Sequence, residues 1–157
     1  MRSSEVKSLI DNYITEEITF SVEFSFLNAV DGRAKYNELI RKKIAEKKTG
    51  VYLWVNAKND EIIYIGMAGK IKSLGRANNH FLRNRLTASR GKSKISKLDI
   101  LTNDFLKIKM EELKINKLNF HIFFTKLNEP PSYVEAMLLY KFYKHNNHKL
   151  PILNNSF

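Results

Sequence analysis

The stretch Gly50-Val51-Tyr52-Leu53-Trp54-Val55-Asn56-Ala57-Lys58-Asn59-Asp60-Glu61-Ile62-Ile63-Tyr64-Ile65-Gly66 decides the fold. It is an apolar run broken once, by Asn56-Ala57-Lys58-Asn59-Asp60, whose residue types favour a turn. The pattern predicts a hairpin with strands over about 50–56 and 61–67. With Ala57 to Asn59 as its loop, Tyr52 stands directly opposite Tyr64. Side chains alternate along a strand, so that register puts both phenols on one face. Gly50 and Gly66 flank the strands at points where a side chain would block close approach. One strand tyrosine is ordinarily a core ring with a wet hydroxyl. Two side by side, followed by a long cationic stretch, suggest a site for a phosphate ester.

That cationic stretch dominates the charge. The 157-residue chain carries a formal net charge of +11 and is long enough for one domain with a real core. Residues 1–31 hold two basic and six acidic side chains, so the excess lies entirely beyond them. Between Ile62 and Leu98 there is no acid, yet Lys70, Lys72, Arg76, Arg83, Arg85, Arg90, Lys92, Lys94 and Lys97 all fall there. Such a field attracts polyanions, although charge alone does not separate DNA from RNA or an anionic membrane surface. A soluble, Lys-rich protein of biased composition has the same totals. The absence of cysteine excludes disulfides, thiolate zinc sites and cysteine nucleophiles. No apolar run approaches membrane-spanning length, and Glu5, Lys7 and Asp11 interrupt any signal-peptide core, so a soluble, cytoplasmic protein is expected.

Residues 1–48 read as an N-terminal extension, and 49–157 as the main domain. Within the extension, Ser4 to Tyr13 has weak helical spacing, and Ile18 to Leu27 alternates apolar and polar as a strand does. Tyr36, Leu39, Ile40 and Ile44 mark a short basic helix. Beyond the hairpin the pattern predicts helices over about His80–Ser89 and Leu98–Leu113, a strand over Leu118–Thr125, and an apolar helix over Ser132–Tyr143. This order indicates an α/β sandwich, one small sheet with helices packed on it.

Helical phase selects Arg85 among the arginines. Phe81, Leu82 and Leu86 define an apolar side that Arg85 borders, whereas Arg83 falls with Asn79, Thr87 and Arg90 on the polar side. A guanidinium at the edge of an apolar face can reach over the sheet and grip a phosphate. Glu135 is the only acid in an otherwise apolar and aromatic run from Tyr133 to Tyr143. A carboxylate there needs a compensating partner. A divalent metal would serve, and so would the helix N-terminus, with Ser132 as cap and Glu135 at the capping-box position. Asn154, after Pro151, has the residue type of a turn or cap. His145 and His148 lack a third ligand and read as a surface pair.

In order, Gly50-Val51-Tyr52, Tyr64-Ile65-Gly66, Arg85-Leu86, Glu135 and Pro151-x-x-Asn154 resemble the signature of the GIY-YIG endonucleases, over roughly residues 49–155. The resemblance implies a three-stranded antiparallel sheet flanked by helices, and hydrolysis of DNA phosphodiester bonds with Mg²⁺ or Mn²⁺. It implies Tyr52 as general base, Tyr64 as a positioner of water or phosphate, and Arg85 as the group that stabilises developing charge. Glu135 would bind the metal and Asn154 would brace the site. Lys70, Lys72, Arg76, Arg83, Arg90, Lys92 and Lys94 are the candidate DNA contacts. The chain departs from the family at Ser89, where many members carry His or Tyr, and at Met67, where many carry Lys. A long loop from Met67 to Asn79 keeps Arg76 as an alternative to Arg85, and Asn155 is an alternative to Asn154.

A stand-alone restriction, phage or mobile-element nuclease is the leading expectation. The alternatives are a structure-specific repair nuclease subunit and an inactive nucleic-acid-binding module. Double-strand cleavage calls for two active sites, which makes a homodimer an expectation as well.

Overall fold

In the computed structural model, which describes residues 1–70 and 81–155, the chain begins with helix α1 (Ser3–Ile10) and a 3-10 turn (Asp11–Tyr13). Strand β1 (Ile14–Glu23) follows, then helices α2 (Phe24–Asn28) and α3 (Gly32–Lys43). The hairpin is β2 (Gly50–Asn56) and β3 (Glu61–Ala68). Helix α4 (Leu82–Thr87), a smaller hairpin of β4 (Ser89–Lys92) and β5 (Asp99–Leu101), and helix α5 (Thr102–Glu112) lead to strand β6 (Lys117–Thr125) and helix α6 (Pro131–His145).

The main hairpin forms where expected but in another register. Its turn is Ala57–Asp60, with Asp60 in the left-handed region at φ 57° and the Asn56 Oδ1 accepting from the Lys58 amide at 3.0 Å. Val55 then pairs with Ile62, the register slips at Ile63, and Trp54 faces Tyr64 while Tyr52 faces Gly66. The expected Tyr52–Tyr64 pairing is therefore corrected. A longer turn and a bulge each displace the strand by one residue. One displacement would have sent Tyr64 to the far face, and the second brings it back. The phenols consequently share a face, diagonal neighbours with ring centroids 5.8 Å apart.

The sheet has four strands in the order β1-β6-β2-β3, every neighbour antiparallel, which corrects the expectation of three. The added strand is the alternating segment of the N-terminal region, paired with β6 from Ile14–Thr125 to Glu23–Lys117. It starts earlier than its pattern indicated and ends at Glu23, because Phe24 and Phe26 are taken into α2. Burying Val22 and packing Ile18 and Phe20 on the core require a sheet neighbour, and β6 supplies it. Residues 1–48 are thus built into the same core as the rest.

Two apolar layers sandwich the sheet. On one face α1 and α6 cover Val51, Leu53, Val55, Ile65 and Phe123 with Val6, Ile10, Val134 and Leu138. On the other, α2 to α5 cover Tyr52, Trp54, Phe120 and Ile122 with Leu27, Tyr36, Ile40, Leu82, Leu86 and Leu106. Gly50 lets β2 meet β6, since a Cβ there would lie 2.0 Å from the Phe123 carbonyl oxygen. Among the described residues no helix is long and apolar enough to cross a membrane.

Candidate active site

Tyr52 is fully buried, with its ring between Trp54 (centroid 5.9 Å) and Tyr64 (5.8 Å). Tyr64 is half-buried and stacks on Trp54 at 4.6 Å. Gly66 makes the arrangement sterically feasible: a Cβ at that position would sit 2.6 Å from Tyr64 Cε1, 2.7 Å from Tyr52 Cζ and 2.8 Å from the Tyr52 hydroxyl. Burial pushes the Tyr52 phenol up to about 12, with Arg90 and Arg85 pulling it down and Tyr64 pushing it further up. In the free protein Tyr52 is therefore a protonated phenol at neutral pH. Behind it, Tyr36 donates its hydroxyl to the Leu86 carbonyl at 2.9 Å and closes the space under α4.

Arg90, expected as a DNA contact, lies over this pair. Its guanidinium donates from Nη2 to the Tyr52 hydroxyl at 2.8 Å and from Nη1 to the Tyr64 hydroxyl at 3.3 Å. The Arg90 carbon Cζ stands 4.9 Å from the Trp54 ring centroid and 5.4 Å from that of Tyr64. It reaches this position because α4 stops at Thr87, short of the expected Ser89, and the chain turns at Ala88 into β4. Thr102 fixes that turn, its amide and its hydroxyl both donating to the Ala88 carbonyl.

Glu135 arrives from the opposite layer. Around the end of β3, Met67, Ala68, Gly69 and Lys70 combine with Arg85 of α4 and Glu135 of α6 to line an open pocket of about 340 Å³. The helix-cap reading of Glu135 does not hold. Helix α6 begins at Pro131 with Pro130 as N-cap, leaving Ser132 inside the helix and Glu135 a full turn from its end. No hydrogen bond from the described residues reaches its carboxylate. Burial raises the Glu135 pKa above the ordinary carboxylate value, and the charge of Arg85 opposes that rise. The charge of Arg85 favours the ionised form of both Tyr52 and Glu135.

Asn154 sits on the outer edge of β3. Its Nδ2 donates to the Ile65 carbonyl at 2.8 Å, and its Oδ1 accepts from the Ile65 amide at 2.9 Å. This two-point clamp holds the peptide between Tyr64 and Gly66 and covers an otherwise unpaired strand edge. Leu153 extends it, donating from its amide to the Ile63 carbonyl at 2.9 Å.

The remaining cations divide. Lys70 lines the pocket, and Lys92 and Lys94 lie on the β4–β5 hairpin, Lys92 and its neighbour Gly91 exposed. Arg83 is committed elsewhere: it donates to the carbonyls of Ile44 (3.0 Å) and Arg41 (2.9 Å) and pairs with Glu46 at 3.3 Å, closing the C-terminal end of α3. Arg83, expected as a DNA contact, has these partners within the chain because C-terminal helix carbonyls attract a cation. Lys72 and Arg76 lie outside the described residues. His121 faces Glu17 at 3.3 Å across β1 and β6, and His145 contacts the Lys141 carbonyl.

The donor set can be tested against a metal. Among the described residues no cluster of three His, Cys, Asp or Glu exists. One desolvated carboxylate with no hydrogen-bond partner among the described residues, in an open pocket beside two cations, does not make an all-protein cage. It fits a small hard cation that keeps most of its water and shares phosphate oxygens with a substrate. No family model, curated protein or solved structure matches the chain.

Proposed function

We propose that this chain is a metal-dependent endonuclease hydrolysing DNA phosphodiester bonds, of the GIY-YIG type. The observation that carries the reading is the pocket at the end of β3, where Glu135 of α6 meets Arg85 of α4 and Lys70, one acid facing two cations. A site that must hold a metal cation and a phosphate needs charges of both signs in one concave place.

In this reading Glu135 holds Mg²⁺ or Mn²⁺, which neutralises charge on the phosphate and activates water when bound. Arg85 and Lys70 bind the phosphate from the pocket wall and oppose the charge that accumulates in the transition state. Tyr64, half-buried on β3 ahead of the pocket-lining residues, positions the phosphate or the water through its hydroxyl. Tyr52 is the candidate base, and its phenol needs the positive field of the loaded site, since in the free protein it keeps its proton. Asn154 holds β3 straight so that both hydroxyls stay in place. A stand-alone enzyme is the favoured form, with Lys92 and Lys94 gripping the DNA backbone.

A second reading is a nucleic-acid binder without turnover. The complete burial of Tyr52 and the commitment of both phenol oxygens to Arg90 favour it. End-labelled linear, supercoiled and branched DNA incubated with Mg²⁺, with and without chelator, separates the two. Chelator-sensitive cutting of any form supports the nuclease. Salt-sensitive binding with every form left intact establishes the binder.

A further inference from the structure

We propose that Arg90 is the positioning residue of this site: it orients the two phenols and stabilises negative charge on them, leaving Arg85 free for the phosphate. The inference rests on the proposed reading for its catalytic meaning, but the interaction itself does not.

The chain holds two arginines within reach of one phenol, and they are placed differently. Arg85 is exposed and faces the pocket with Lys70 and Glu135. Arg90 points inward, and one guanidinium edge spans both phenol oxygens at 2.8 and 3.3 Å. A planar fork is suited to bridging two oxygens from adjacent side chains, and a lysine is not. Removing a guanidinium from water is costly unless something compensates. Here the rings of Trp54 and Tyr64 lie against it, which supplies cation–π attraction, while its Nε has no partner among the described residues. A partly buried guanidinium laid against aromatic rings, its Nε without a partner among the described residues, is held in place by the two phenol oxygens.

The chemistry follows from the bonds. A phenol oxygen that accepts from a guanidinium favours the phenolate, since the acceptor strengthens as negative charge develops. Among the described residues, the charged and titratable groups facing the pair are Arg90 from β4, Arg85 from α4 and Tyr36 from α3, and of these Arg90 is hydrogen-bonded to both hydroxyls. The neighbouring Ser89 turns its hydroxyl to Gly91, and Arg90 makes the polar contact to the phenols.

The test is ¹⁹F NMR of the full chain labelled with 3,5-difluorotyrosine, whose phenol ionises well below that of tyrosine. Tyr52→Phe and Tyr64→Phe assign the two resonances. In Arg90→Gln the Tyr52 resonance should titrate higher by about one pH unit or more, because the guanidinium that favours its phenolate is gone. Arg90→Lys, which keeps the charge but not the fork, should recover part of the shift and remains informative if the glutamine variant does not fold. Unmoved titration of Tyr52 in either folded variant overturns the inference. Loss of DNA cutting in Arg85→Gln, with a smaller shift of the Tyr52 titration than Arg90→Gln produces, supports the division of labour. A chain that never cuts DNA but shows the Arg90-dependent shift defeats the nuclease reading and leaves the Arg90 interaction standing.

Discussion

Gly66→Ala probes the packing that brings the phenols together. The new methyl would stand 2.6 Å from Tyr64 Cε1, 2.7 Å from Tyr52 Cζ and 2.8 Å from the Tyr52 hydroxyl. Ordinary contacts begin near 3.4 Å, so the overlap is about 0.6 to 0.8 Å. Neither ring can retreat freely. Tyr52 is fully buried against Trp54, and Tyr64 is stacked on the same indole at 4.6 Å. Overpacking of this kind costs about 1–3 kcal/mol. In a chain of this size that lowers Tm by about 2–12 °C. A phenol displaced by a fraction of an ångström from Arg90 should also lower the cleavage rate, on the order of 10²-fold for the largest displacement. Circular-dichroism melts and urea titrations supply the stability change. Repeating them in a Tyr52→Leu background closes a double-mutant cycle, where the methyl should cost less because one of the two rings it strikes is gone and the Tyr64 ring gains room to move. An alanine variant as stable as wild type, or one equally costly in both backgrounds, would refute the packing argument.

Other perturbations have separate readouts. Asn154→Ala removes both bonds to the Ile65 peptide, so we expect a loss of about 1–3 kcal/mol and faster hydrogen exchange at the Ile65 amide; unchanged exchange would show that the clamp is not needed. Arg83→Ala should destabilise by about 1–3 kcal/mol and leave DNA affinity unchanged, whereas weakened binding without loss of stability would restore it as a DNA contact. Glu135→Gln should raise thermal stability at neutral pH. Burial raises the Glu135 pKa in the folded state, so ionisation costs stability as pH rises from the ordinary carboxylate range, and the neutral amide avoids that cost. The advantage should fade as pH falls through that range and wild type becomes protonated. A glutamine variant less stable at neutral pH contradicts the desolvated carboxylate.

How much of this was legible beforehand depends on the distance over which each signal acts. The hairpin was readable because its turn residues and flanking apolar runs are adjacent in sequence. Its register was not, since nothing local distinguishes a three-residue loop from a four-residue turn followed by a bulge at Ile63. The shared face of Tyr52 and Tyr64 came through because the two displacements cancel. The alternation around Phe20 and Val22 identified a strand, but strand pairing is long-range, and no residue in it points to β6 as its neighbour. Arg85 was placed by helical phase alone, and it lines the pocket. Arg90 was misplaced because the helix was extended to Ser89. Ser89-Arg90-Gly91-Lys92 followed by Asp99-Ile100-Leu101 did contain a signal, a short polar hairpin with glycine, and it would have turned Arg90 off the helix. The cap at Ser132 failed because Pro130 and Pro131 start the helix first.

The central claim is that one carboxylate on α6 makes this pocket a centre for phosphodiester hydrolysis. Its most direct test is the rate of plasmid nicking in Mg²⁺ by wild type and by Glu135→Gln, each first shown to be folded. The account predicts metal-dependent nicking by wild type and a fall of at least about 10²-fold in the variant. Equal rates for the two proteins would contradict it.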